Sequence, residues 1–197
     1  EAMGINVGAG LIIEYVRDAN FTQVSPRSWW ENLEEGFTYD DNQFKTNQWA
    51  HPFNGAAYYN SGRANGLGFW PSAGFAVFGA FQWECCGETH PMSFNDLIST
   101  GIGGIALGEA QYRLSSEILD NRDTGKSHVF REIGAFLVDP VRGFNRLVSG
   151  HAKGVADNPS DPMDWRPEGS PTFVATGVRV IGEGSSISEN TQSYATI

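Results

Sequence analysis

The chain has 197 residues, 40% of them hydrophobic and 13% aromatic, and a formal net charge of -10. That length can bury a core without disulfide staples, and an acidic chain lacking a clustered positive face excludes a nucleic-acid backbone as the main partner. The two cysteines, Cys85 and Cys86, are adjacent. A bond between neighbours is strained, so they offer no disulfide framework and little information on compartment.

In chain order, Gly4 to Val16 is apolar, with Gly4, Gly8 and Gly10 spaced to thin one face of a first helix for close packing against a partner. Ser28 and Glu31 form an S-x-x-E capping box for a short second helix that Gly36 can end, with Trp29 and Trp30 in its first turn. Paired tryptophans suit either a membrane interface or anchoring onto the core, and the second use is the commoner. Asp40 or Asp41 is expected to cap a helix that runs through Phe44, Asn47 and His51 to Arg63, is kinked at Pro52 and ends at Asn65-Gly66. At 100° per residue, Phe44, Asn47, His51, Gly55, Tyr58 and Gly62 share one face.

Trp70-Pro71-Ser72 opens a third major helix. The uncharged run from Ala64 to Trp83 approaches the length of a bilayer span, but its glycines and proline read as a buried core helix. Ser93 and Asp96 form an S-x-x-D box opening a long helix to about Leu119, which carries Gly104-x-x-x-Gly108. Lys126 to Gly150 reads as two amphipathic helices broken at Asp139-Pro140. Their basic residues (Lys126, Arg131, Arg142, Arg146 and, just beyond, Lys153) outnumber Glu132 and Asp139. Such a segment suits an anionic membrane surface or a domain boundary, with a solvated face as the plain alternative.

The proline- and aspartate-rich stretch 156–171 is a linker, separating a helical domain (1–155) from a region (172–197) rich in β-branched residues. Two strands alone are marginal, so a longer strand-rich region is expected to follow. The fold class is therefore mainly α: a glycine-packed bundle of about five to six helices, with a C-terminal β-hairpin that begins a truncated β-region.

His51 is the best single candidate for chemistry, because an imidazole serves as acid, base or metal ligand near neutral pH. Asn47, one turn earlier, is placed to orient it. Its plain alternative is a core histidine satisfied at the Pro52 kink, and that reading ranks first. Glu84 sits among Phe81 and Trp83, where its pKa should rise unless Arg63 or Arg113 supplies a cation. Glu84 and Glu88 are spaced to face one way, but no metal-ligand motif appears and Glu88 falls in a loop. Asp96 is explained first as the reciprocal half of the Ser93 cap, while Asn95 is free to reach inward. Glu109 pairs naturally with Arg113 four residues on. No nucleophile elbow and no phosphate-cradling loop is present.

These residues, taken together, resemble an uncharacterised bacterial envelope family, domain of unknown function thirty-nine forty-three. The resemblance rests on His51-Pro52-x-x-Gly55 with Tyr59, on Arg63-x-Asn65-Gly66, on Phe69-Trp70-x-Ser72 and on Trp83-Glu84 with Gly87-Glu88. It continues through Asn95-Asp96-Leu97, Gly103-Gly104, Leu107-Gly108-Glu109, Arg113-Leu114-Ser115 and Pro140-x-x-Gly143-x-Asn145-Arg146. It spans about residues 4 to 150 and implies a secreted protein, periplasmic or outer-membrane associated, whose helical part precedes a barrel-like part; it implies no activity. A looser similarity to VanZ-like small helical membrane proteins lies in the order His51, Glu84, Ser93 to Asp96, and suggests only a common scaffold.

Two functions follow as expectations. In the first, a structural or lipid-interacting envelope domain, His51, Arg63, Glu84, Asn95 and Glu109 form a buried polar cluster that fixes helix register, with Asn47, Asp96 and Arg113 beside it. In the second, an envelope hydrolase acts on a lipid or cell-wall substrate with His51 as base and Glu84 as acid or metal ligand. Cofactor, metal and oligomeric state stay open. The partner expected is membrane lipid or another envelope component.

Overall fold

The computed structural model describes residues 1–18, 20–40 and 44–158. The expected cap at Asp41, most of the linker and the C-terminal hairpin lie outside the described residues. The described part is helical: α1 (Ala2–Arg17), α2 (Pro26–Glu35), α3 (His51–Arg63), α4 (Phe69–Cys86), α5 (Phe94–Ile98), α6 (Gly104–Ile118), α7 (Gly125–Val138) and α8 (Pro140–Ser149). A π turn, Ser99–Gly103, makes α5 and α6 one continuous helix. A second π turn, Thr46–Ala50, leads directly into α3.

Helix α3 is the axis of the domain, packed chiefly against α6 and α4 and also touched by α1 and α8. Tyr58 to Arg63 are all buried, so α3 has no single inward face; Phe44, assigned to that face from the sequence, is exposed. The expected kink at Pro52 takes the form of the wide turn before it. Pro52 follows that turn inside a continuous helical run from Phe44, so its missing N–H leaves a carbonyl of the preceding turn without a ladder donor. The helix ends near Asn65-Gly66 as the sequence suggests, with Gly66 at φ 81°.

At the closest approach, Gly55 of α3 lies on Thr100 and Gly104 of the facing helix. A Cβ on Gly55 would overlap the Thr100 carbonyl oxygen and stand 2.8 Å from the Gly104 Cα. A Cβ on Gly104 would in turn strike the Gly55 backbone. Neither neighbour can give way, because both are backbone. Farther along, Gly108 receives the Tyr59 ring and Gly79 of α4 receives that of Tyr58. By contrast Gly4, Gly8 and Gly10 have nothing near their absent side chains, so the expected close packing of α1 through glycine is wrong. A polar residue docks α1 instead: Asn6 accepts the Tyr58 hydroxyl and donates to the Gly79 carbonyl (3.1 Å) and to Gln82 (3.1 Å).

The caps differ from expectation in an instructive way. Helix α2 is opened by Ser25, with Pro26 next, and the box closes between Ser25 and Ser28; Glu31 pairs with Arg27 on the surface instead. Trp29 anchors the helix by donating to the Cys86 carbonyl (2.9 Å), whereas Trp30 is exposed. The break at Asp139-Pro140 is as expected, and Asp139 caps α8 by accepting the Arg142 amide (3.0 Å). Cys85 and Cys86 are bonded to each other at the end of α4.

Gly55→Ala and Gly104→Ala should each cost about 3 kcal/mol or more, because the two backbones must separate. Gly8→Ala, in open space on a helix, should instead gain about 0.5–1 kcal/mol. Urea unfolding of the three variants checks both signs.

Candidate functional site

The contact between Gly55 and Thr100 fixes what surrounds His51, which begins α3 four residues earlier. Its Nδ1 lies 3.1 Å from the Thr100 hydroxyl, offered by the facing π turn. The same turn sends the Ser99 hydroxyl to the Asn47 carbonyl, so the two π turns are laced together across the site. Thr100, unnoticed in the sequence, is thus the residue seen to meet the imidazole. A hydroxyl at the interior of a helix gives no sequence signal for this role.

On its other side His51 faces Asp96, with Nε2 3.4 Å from Oδ2. That separation is longer than a charge-assisted hydrogen bond, and Nε2 is buried without a hydrogen-bond partner. Asp96 was first explained as half of a reciprocal cap, and only one half holds. The Ser93 hydroxyl accepts the Asp96 amide (3.2 Å), but the Ser93 amide donates to Glu84 Oε2 (2.8 Å). Glu84 arrives from α4 and takes the bond that Asp96 was expected to make. The Asp96 carboxylate is therefore turned toward His51, while its Oδ1 accepts from the Asn95 side chain (2.9 Å).

Asn95 does not reach into the site. Its Oδ1 accepts the Asp40 amide (2.9 Å) and the Ser93 hydroxyl (2.9 Å), and its amide donates to the Asp40 carbonyl (3.0 Å) as well as to Asp96. All four of its hydrogen-bonding positions are used. With Thr38, which bridges to Ser93 through the Met92 carbonyl and Phe94 amide, Asn95 straps the segment ending at Asp40 over the start of α5. Asp40 is consequently a neighbour of the site.

Ligand atoms of His51, Glu84 and Asp96 all lie within 4.8 Å of one another. Burial raises the Glu84 carboxyl to about 7, and the neighbouring Asp96 and Asp40 carboxylates push the same way against the Ser93 amide. Glu88, in the loop after α4, is raised to about 8 by burial and by Glu84, Asp96 and Asp40. The His51 pKa is lowered, because burial outweighs the attraction of Asp96 and Asp40.

The remaining expected residues form a separate centre. Glu109 accepts the Tyr59 hydroxyl (2.5 Å), Arg63 (3.1 Å) and Arg113 (2.7 Å), so the arginines proposed as partners of Glu84 serve Glu109. The Tyr112 ring lies between two guanidinium groups, Arg63 and Arg142, each 4.2 Å from its centroid. Arg142, missed as a site residue, also donates to the Tyr112 carbonyl (2.9 Å) and the Ser115 hydroxyl (3.0 Å). One polar cluster is thus two: a charge-balanced centre on Glu109 and a carboxylate-rich one on His51.

The class of protein defined so far is a helical domain with a buried histidine–carboxylate centre. The chain belongs to a family described as a domain of unknown function, DUF3943, whose model matches residues 36–141. The matched segment begins just before the Asp40 strap and ends at the start of α8, holding His51, Glu84, Asp96, Arg63, Glu109 and Arg113 and leaving out α1, α2 and Arg142. No curated protein and no solved structure matches the chain.

Asp139 gives the clearest pH dependence, since burial raises its carboxyl from 3.8 to about 6 against the Arg142 amide and charge. Folding favours its protonated form, so its contribution is complete below pH 3.8 and is lost as pH rises through about 6. Asp139→Asn keeps a good cap and removes the charge. The stability of this variant relative to the parent should rise by on the order of 2–3 kcal/mol between about pH 4 and pH 7. Urea unfolding at four pH values tests it; a flat difference would contradict the burial account.

Proposed function

We propose that this is a lipid-interacting structural domain of the bacterial cell envelope, periplasmic or outer-membrane associated, held together by buried polar groups. One observation carries the reading: polarity is inverted. The largest fully buried side chains include Arg63, Glu84, Asn60, Asp96 and Asp139, while Phe130 (72%), Leu137 (74%) and Val148 (71%) are largely exposed. Apolar side chains also face outward on α1 (Val7, Ile12, Val16) and α4 (Trp70, Val77, Phe78). Exposure over several faces suits a lipid surface better than one protein partner.

A cleft of 270 Å³ between α7 and α8, lined by Ile133, Phe136, Leu137, Gly143 and Leu147 with Glu132 as its one charged residue, adds a largely apolar place for an acyl chain. Electrostatics contributes less than the sequence suggested. Arg131 pairs with Asp123, Arg146 with Glu132, and Arg142 is buried, so attraction to lipid rests on apolar contact. No helix among the described residues is long and apolar enough to cross a membrane, which fits residence at an interface.

The rival reading, an envelope hydrolase with His51 as base and Glu84 as acid, is favoured by the unpartnered His51 Nε2 and the raised Glu84 carboxyl. Two measurements separate them. The triple variant Phe130→Glu, Leu137→Glu, Val148→Glu should lose at least about tenfold in flotation with neutral phosphatidylcholine vesicles, given the cost of inserting charge, while keeping its thermal stability. Undiminished flotation would refute lipid contact. Separately, His51→Ala and Glu84→Ala should lower stability in step with any envelope phenotype, Glu84→Ala by about 1–3 kcal/mol for the Ser93 amide left unpaired. A lost phenotype in a fully stable variant would favour the enzyme.

A further inference from the structure

We propose that His51, Glu84 and Asp96 bind one divalent transition-metal ion of the zinc class. The three ligands come from the first turn of α3, the end of α4 and α5, so the ion would join the helices that meet at the Gly55–Gly104 crossing. The separations suit it. Nε2 of His51 and Oδ2 of Asp96 are 3.4 Å apart, and two ligands at about 2.0–2.1 Å from a tetrahedral centre are about 3.3–3.4 Å apart. The other pairs are no more than 4.8 Å apart, within reach of a small rotation of Glu84.

Each ligand is held by a second group in the manner metal sites require. The Thr100 hydroxyl, 3.1 Å from Nδ1, can accept from Nδ1–H, and in that tautomer Nε2 carries the lone pair a metal needs. Nε2 is buried, faces the Asp96 carboxylate at 3.4 Å and makes no hydrogen bond, so a cation between the two would give it a partner. Asn95 holds the far oxygen of Asp96, and the Ser93 amide holds one oxygen of Glu84. The ligands are also buried: the His51 and Asp96 side chains are 12% and 2% exposed and Glu84 1%. Around them the strongest charges acting on Glu84 are the carboxylates of Asp96 and Asp40, so the site gathers negative charge for a cation to offset.

Ligand chemistry selects the ion. An imidazole nitrogen with two carboxylates suits zinc, manganese or iron, whereas calcium takes six to eight oxygens and magnesium keeps most of its water. The plain alternative is a histidine and two acids that share protons. In that case a structural scaffold would bind no metal.

The test uses the whole 197-residue chain, stripped with chelator and dialysed. Zinc chloride is titrated by calorimetry at pH 7.5, with magnesium and calcium in parallel, and thermal unfolding is followed with and without zinc. One equivalent should bind and raise Tm, and magnesium and calcium should not compete. His51→Gln and Asp96→Asn should each weaken binding at least thirtyfold. Glu109→Gln in the other polar centre, and His128→Ala with His151→Ala against binding at other histidines, should leave it unchanged. No stoichiometric binding by folded parent protein would overturn the proposal. So would equal affinity in folded His51→Gln or Asp96→Asn, or loss of binding on removing His128 and His151. Asp96→Asn, close in shape to the parent residue, keeps the test decisive if His51→Gln does not fold.

Discussion

The contact of Gly55 with Thr100 and Gly104 is the constraint on which the rest of the domain depends. Two helices whose backbones touch cannot slide or rotate without collision, so every residue on them is placed by its distance from the crossing. His51 lies one turn before Gly55, and Asp96 lies two turns before Gly104, about 12 Å along the helix at 1.5 Å per residue. One π turn lies between Asp96 and Gly104, and the other immediately precedes His51. Each carries an extra residue per turn, and together they rotate Thr100, Ser99 and Asn47 into the gap between the helices.

The same closeness accounts for the inverted polarity. Helices that approach this tightly leave room between them for Gly, Ala and Ser and for side chains lying flat along a groove. Ala56, Ala73, Ala76 and Ala80 are buried, and the larger buried apolar side chains are chiefly Tyr58, Tyr59, Trp83, Met92, Tyr112 and Leu119. Many other large apolar side chains face outward. The exposed apolar surface is therefore a consequence of how the helices pack, and a water-filled surrounding would penalise it over several faces at once. Buried polar groups take over the work of defining register, since each must find its partner or lose about 1–3 kcal/mol.

Local chemistry in the sequence was a good guide to where helices stop and a poor one to what their polar residues touch. Gly66, the Asp139-Pro140 break and the Ser93 cap were readable because their causes lie within four residues. The same proximity misled at Ser93-x-x-Asp96: a capping box is one way to satisfy the Ser93 amide, and Glu84, nine residues earlier in sequence and on another helix, supplied a second. The Glu109–Arg113 pair was readable from its spacing of four residues, whereas the offer of Arg63 or Arg113 to Glu84 was wrong, because sequence cannot say which carboxylate the fold brings to a distant arginine. Glycine spacing was equally ambiguous. Gly4, Gly8 and Gly10 share the pattern of Gly104 and Gly108, and only a partner helix distinguishes a packing notch from open surface.

The two polar centres differ in a way that bears on function. At Glu109, two arginines and a tyrosine satisfy one carboxylate, and a second arginine stack around Tyr112 completes a network with opposite charges in hand. Nothing beyond helix register is needed to explain it. At His51, carboxylates from two helices converge on a single imidazole whose pKa burial lowers, one buried nitrogen lacks a hydrogen-bond partner, and burial raises Glu84 to about 7 and Glu88 to about 8. A scaffold built only for stability would gain by replacing such a group with the Glu109 arrangement already present a few turns away. That the same helices carry both, one balanced and one not, locates any chemistry of this domain at His51, Glu84 and Asp96.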